Sequence, residues 1–289
     1  MSKHQETQRH PKVDQTSGIA ANMLVNLQKT DGYTRQSMFE ICVSEVNQLR
    51  RQEPILNTVL APLAQASSLE WMLARHLSAV LHATGVDVSA LGDLFAEVLH
   101  SHPSVPNATV ADLQAAYNRD PACTSYLHAL LNFKGFQAVQ AHRIAHQLLK
   151  DGRTDIAAWL ANRVSLVLGP DIHPAASIGR GILVDHGAGV VIGETTVIND
   201  NVSVMQNVTL GGTGNEIGDR HPKIAQGVMI GAGAKVLGNV TIGAMSKVAA
   251  GSVVLKEVPP NCTVAGVPAK VVRWHDAAQM PSHSMDQQI

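Results

Sequence analysis

The feature that most limits what this chain can fold into is a six-residue period that begins after Pro170. Ile172, Ile178 and Val184 share one phase; Ile192, Ile198, Val204 and Leu210 continue it after two extra residues; Ile224, Ile230, Val236, Ile242, Val248 and Val254 resume it after a longer gap. Four residues after most of these comes another small or aliphatic residue, as at Ala176, Ile182, Val202, Val208, Val228, Ala234 and Val240. A period of six fits neither strand alternation nor a helical turn. It fits one short strand plus one corner, so three units close a triangular coil with the aliphatic residues stacked inside. Gly179, Gly193, Asn201, Gly231 and Gly243 are expected to supply the positive φ that tight corners need. The interior of such a prism is too narrow for aromatic rings, and none occurs between Trp159 and Trp274. A βα protein would instead need helical stretches of about ten residues between strands, which this region lacks.

Upstream, the pattern is helical. Segments such as Met38–Leu49 and Phe136–Leu149 space apolar residues by three and four. Pro54, Gly85, Pro103, Pro106, Pro121 and Gly135 are read as breaks that divide this region into several helices. The expected organisation is a disordered N-terminus over 1–16, an all-helical domain over 17–165, a parallel β-helix over 166–274 and a flexible tail over 275–289. The fold class is thus α+β.

With 22 Lys and Arg against 23 Asp and Glu, the net charge of -1 gives no sequence-independent attraction to nucleic acid or to an anionic membrane surface. No apolar run approaches the ~20 residues of a membrane span. The polar N-terminus lacks the apolar stretch of a secretion signal, and Cys42, Cys123 and Cys262 are few, scattered and free of metal or redox spacing. A cytoplasmic small-molecule enzyme is the expectation.

A β-helix is a scaffold, so chemistry is sought where its rhythm breaks. One break, Val184–Val191, carries Asp185 and His186; the other, Thr209–Lys223, is a protruding loop ending in Asp219, Arg220 and His221. Acyl transfer to a hydroxyl requires a base titrating near neutrality and a partner to orient it. His186 suits the first role, and an acidic group such as Asp171 the second. Arg220 offers a fork for a carboxylate, and Asp185 a partner for an ammonium. His173, His186 and His221 also invite a zinc reading, which the cationic Arg220 and Lys223 oppose. The small residues of Gly231–Lys235 and Ala249–Ser252 suit an extended thiol cofactor lying along backbone amides, or are simply corner residues.

Pro170–Ile182, Asp185-His186, Val208–Gly214, Gly218–Ile224 and Ala265–Ala269 together closely resemble the serine O-acetyltransferase family, as do Arg119–Ala122 and Lys134–Ala138 upstream. Gly187 and Ala188 depart from the Ala-Thr that commonly follows the Asp-His pair in that family. The resemblance implies a left-handed coil, trimers paired into hexamers, and active sites between neighbouring β-helices. It implies His186 as general base with Asp171 as its orienting partner. It places Asp120, Asp185, Arg220 and His221 around serine, and the neighbourhoods of Gly212, Ala232 and Ala250 against acetyl-CoA, a co-substrate in a reaction needing neither metal nor tightly bound cofactor. It further implies inhibition by L-cysteine, and docking of the C-terminal Ile289 into O-acetylserine sulfhydrylase. Competing readings are a hexapeptide acetyltransferase for a sugar or antibiotic hydroxyl, a carbonic anhydrase with three histidines on zinc, and a catalytically silent assembly module.

Overall fold

The structure is a computed structural model that describes residues 32–214, 217–276 and 280–288. The expected disorder over 1–16 and the anchor Ile289 lie outside the described residues. Helices run α1 (Arg35–Gln52), α2 (Asn57–Ala64), α3 (Leu69–Leu81), α4 (Val88–Ser101), α5 (Ser104–Arg119), α6 (Tyr126–Asn132), α7 (Lys134–Lys150) and α8 (Thr154–Leu168). Side-chain oxygens satisfy the free N–H groups at several starts: Thr34 caps α1, Ser68 α3, Asp87 α4 and Ser125 α6.

Two of the expected breaks are not breaks. Pro106 sits in the first turn of α5, where its missing N–H has no helical partner to lose. Gly135 lies in the first turn of α7, and its role is proximity: a Cβ there would stand 1.9 Å from the carbonyl oxygen of Val184. The glycine lets the helix backbone press on the coil one residue before Asp185.

From Asp171 the chain forms the three-sided coil. Its short parallel strands return to the same face every third unit. The first face is β1 (Asp171–Ile172), β4 (Val191–Ile192), β7 (Thr209–Gly211), β10 (Lys235–Leu237) and β13 (Val253–Val254). The second is β2 (Ser177–Ile178), β5 (Val197–Ile198), β8 (Lys223–Ile224) and β11 (Thr241–Ile242). The third is β3 (Leu183–Val184), β6 (Ser203–Val204), β9 (Met229–Ile230), β12 (Lys247–Val248) and β14 (Cys262–Gly266), closed by an antiparallel β15 (Ala269–Trp274). Ile192, Val204, Leu210, Ile224, Ile230 and Val236 are buried and in pairing register, as the period requires. Both interruptions are absorbed at corners, so register survives on either side of them.

Helices and coil share a polar seam within one compact unit from Thr34 onward. Asp112 of α5 is fully buried; its Oδ1 accepts from Ile182 N (2.8 Å) and its Oδ2 from Arg143 Nη2 (2.8 Å) and Gln140 Nε2 (2.9 Å). Arg143 of α7 also donates to the carbonyls of Ile178 and Gly179. A buried ion pair tied on both sides by further hydrogen bonds is costly to break from one side.

The segment expected to be a flexible tail is ordered where it is described. After Met280 a short helix, α9 (Pro281–Ser284), packs on α5, with Pro281 and Ser282 buried. Lys247 Nζ donates to the carbonyls of Asp286 and Gln288. The segment lacks periodicity because its partners lie on other elements rather than on a face of its own. No described helix is long and apolar enough to cross a membrane.

Candidate active site

The two rhythm breaks fall on different edges of the prism. His186 occupies the edge between the third and first faces, with a left-handed backbone (φ 55°) that turns its ring outward, 73% exposed. Its Nε2 lies 3.8 Å from Asp185 Oδ1. Burial pushes the Asp185 carboxyl above the ordinary carboxylate range, His186 pulls it down, and the charge of Asp120 pushes it up again. Asp120, which ends α5, therefore faces the same group, and its Oδ1 is held by Ala122 N at 2.8 Å. Gly187 packs against Pro170 and Gly135, which sets the corner against the helices.

Asp171, expected to orient His186, begins the first face at the same corner, and its side chain is not joined to the imidazole. Its backbone N–H donates to the Val190 carbonyl of the same corner (2.8 Å). Its side chain is exposed, lining a groove with Ala158, Asn162 and Ser165 of α8, and makes no hydrogen bond or ion pair with His186. The reason is the strand alternation: Ile172 points inward, so Asp171 points out of the first face.

Arg220 and His221 belong to the edge between the first and second faces. There Thr195 is a hub that sequence reading missed. Its Oγ1 accepts from the backbone N–H groups of Arg220 (3.0 Å) and His221 (3.1 Å), and its own N–H donates to His221 Nδ1 (3.2 Å). That bond leaves the proton of a neutral His221 on Nε2. Burial and the adjacent Arg220 lower the His221 pKa, favouring the neutral ring. The ring occupies the space over Gly193, where a Cβ would come within 2.0 Å of Cδ2. Arg220 Nη2 donates to Glu194 Oε2 at 2.6 Å, and the guanidinium in turn holds the Glu194 carboxyl low. Lys223 Nζ ties the loop base to Thr195 O (2.8 Å) and Asp219 Oδ1 (2.5 Å). The available signal was Gly193 itself: a corner glycine opposite a protruding loop marks where the loop can fold down.

Ala232 and Ala250 lie on the same edge as His186, successive coils along it, with Gly251 N donating to the Ala232 carbonyl (2.8 Å). Gly212 instead sits on the other edge, against Arg220. His173 acts electrostatically on His221 but shares no edge with His186, and among the described residues no group of three metal-ligating side chains forms.

The edge of His186 thus offers an exposed imidazole among two carboxylates and a track of small residues; the other edge offers a guanidinium and a neutral imidazole. Family models match residues 38–141 (Serine acetyltransferase, N-terminal) and 221–256 (Bacterial transferase hexapeptide, six repeats). The chain is 52% identical over 235 residues to probable serine acetyltransferase 1 of Oryza sativa subsp. japonica, covering 81% of this chain and 78% of that protein. The solved soybean serine acetyltransferase complexed with serine is 51% identical at a TM-score of 0.79, over 81% of this chain and 97% of its own. The serine acetyltransferase of Brucella abortus strain S19 in complex with coenzyme A is 44% identical at a TM-score of 0.81, over 86% and 98% respectively. A relative at this identity over this coverage, on a coil whose interruptions carry the Asp-His pair and the Arg-His loop, leaves one assignment: the chain belongs to the serine acetyltransferase family, and its coil is that family's left-handed parallel β-helix.

Proposed function

We propose that the chain transfers the acetyl group of acetyl-CoA to the hydroxyl of L-serine in a site completed between two copies of the chain. The observation that carries this reading is the separation of the half-sites. The first face, which separates these two edges, spans roughly 15 Å at ~3.3 Å per extended residue, so one protomer does not bring Arg220 to the serine that His186 deprotonates. A neighbouring prism, offering its first–second edge, supplies the missing half.

In this reading Arg220 and neutral His221 of one copy hold the serine carboxylate, while Asp120 and Asp185 of the other hold its ammonium. His186 takes the hydroxyl proton as serine Oγ attacks the thioester carbonyl. Backbone amides along the Ala232 and Ala250 edge stabilise the oxyanion; collapse breaks the C–S bond, and the imidazolium returns the proton to the departing thiolate. Asp171, at the same corner, is assigned as the orienting partner of His186, a role the family resemblance implies. Cysteine differs from serine by one atom and takes the same carboxylate and ammonium contacts, which makes it a competitive inhibitor. Exposed Ile55, Leu56 and Val59 suit pairing of trimers through the helices. The three cysteines, all buried and unpaired, accord with a reducing cytoplasm. Ile289 is assigned to docking O-acetylserine sulfhydrylase, tested by calorimetry with a C-terminal peptide.

The test of the shared site is subunit complementation. With serine well below its KM, His186→Ala should cost about 10²-fold or more and Arg220→Ala about tenfold or more. Denatured together and refolded, they should regain about a quarter of wild-type activity, because random mixing leaves that fraction of interfaces with both groups intact. A mixture no more active than its components would place both groups in one protomer's site.

A further inference from the structure

Arg119 is a buried guanidinium, 7% exposed, and the carboxylate that acts on it, Asp112, is paired with Arg143. Its Nη1 donates to Ser203 Oγ (3.1 Å) and to the Val202 carbonyl (3.5 Å), and its Nη2 to Asn201 Oδ1 (3.4 Å). Asp112 and His283 are the titratable groups that act on it or that it acts on, and burial lowers its pKa to about 10. Burying a charge costs free energy that hydrogen bonds and opposing charge must offset, and here three acceptors and the charge of Asp112 do so. The chain neighbour of Arg119 is Asp120, at the end of α5, whose carboxylate bears on Asp185.

The same Ser203 hydroxyl has a second partner. Its single proton goes to the Ser282 carbonyl (2.9 Å), leaving its lone pairs for Arg119. Ser282 is fully buried, its N–H reaches the Gly227 carbonyl (3.4 Å), and α9 lies against α5. Further along, the Asp286 and Gln288 carbonyls accept from Lys247, itself 5% exposed. Residues 280–288 therefore form a strap over the third face, and the strap is continuous through Ser203 and Arg119 with the residue that precedes Asp120.

We propose that Arg119, Ser203 and the strap are positioning elements for Asp120, so that docking of the strap sets the enzyme's affinity for its amino-acid substrate. The proposal rests on Asp120 contacting the serine ammonium, as argued above. With the strap docked, Ser203 is held in the rotamer that receives Arg119, and the end of α5 is fixed on the coil. With the strap released, Ser203 loses its acceptor, water reaches the guanidinium, and Asp120 gains freedom that substrate binding must remove.

Steady-state kinetics on the full chain separates the outcomes. Asp120→Asn comes first: if it leaves the serine KM unchanged, the serine-pocket reading fails, and the proposal with it. If it raises the serine KM, attention passes to Ser203→Ala and to deletion of 280–289. Each should raise the serine KM about fivefold to tenfold, while the acetyl-CoA KM and kcat stay within about twofold. The double variant should be no worse than either single one, because both cut the same path. Ser203→Thr, which keeps the hydroxyl, should restore the wild-type value, and deletion of Ile289 alone should leave the serine KM unchanged. A serine KM unmoved by Ser203→Ala and by the deletion, or equal rises for both substrates, overturns the proposal even where Asp120→Asn behaves as expected.

Discussion

Arg220 is held by Glu194 at 2.6 Å, which fixes the direction of its fork. An aimed guanidinium matters to the group that carries a carboxylate and little to the thioester. Arg220→Ala is therefore expected to raise the serine KM by tenfold or more, about the 1.4 kcal/mol of one charge-assisted hydrogen bond, with the acetyl-CoA KM nearly unchanged. Equal rises in both would count against the assignment. Asp185 carries a second expectation. Its folded pKa is raised, so it takes up a proton at a higher pH than an ordinary carboxyl, and serine loses an ammonium partner as pH falls through that value. The acid limb of kcat/KM for serine should follow this group. Asp120→Asn removes a charge that raises it, and should move the limb to lower pH; a limb that stays put would exclude Asp185 as its source. At this scale the sequence reading reached the residues that carry charge, because a break in a repeat is visible. It did not reach Thr195, whose hydroxyl matters only once a loop some 25 residues later folds onto it.

The period is the most legible element, since counting units in threes assigns every strand its face. By the same counting, Asp185-His186 and Arg220-His221 fall on different edges, so the need for a second copy is implicit in the spacing. Gly and Pro punctuation is less transparent because it is local. Gly135 reads as a helix break, yet its reason is a coil carbonyl nearly fifty residues away. Gly135→Ala should force α7 off Val184, destabilising the protein by roughly 3 kcal/mol as overpacking against rigid backbone, and it should lower turnover because Asp185 adjoins the displaced strand. Thermal denaturation and kcat read the two effects. A variant with wild-type values in both would mean that the seam relaxes freely.

Over the whole molecule, the helical part contains two buried histidines whose folded pKa values are depressed, His76 to about 4 and His142 to about 3, chiefly by burial. His76 accepts from Gln137 Nε2, while His142 Nδ1 has no partner. A depressed folded pKa means that the unfolded chain binds more protons. Stability present above about pH 6.5 is therefore lost as pH falls, by up to about 1.4 kcal/mol per unit for each ring, until the folded rings themselves titrate. The melting temperature should drop steeply between pH 6.5 and 4, and His142→Phe should flatten that drop; an unchanged slope would assign it to carboxylates. The tail shows why the sequence was silent at this scale, since order in 280–288 comes from Gly227, Ser203 and Lys247 rather than from its own pattern. The returning faces also set a rule for how such a chain can change length. Because each face recurs after three units, an insertion or deletion within the rungs preserves the site only in steps of eighteen residues. Removing a single unit between Ala232 and Ala250 would carry Ala250 to a different edge from His186, whereas extra residues placed at a corner, as in the loop before Lys223, shift nothing. Lineages of this chain should therefore differ in length at corners or by whole coils, and recombination between relatives should succeed only where crossover points agree in unit number modulo three.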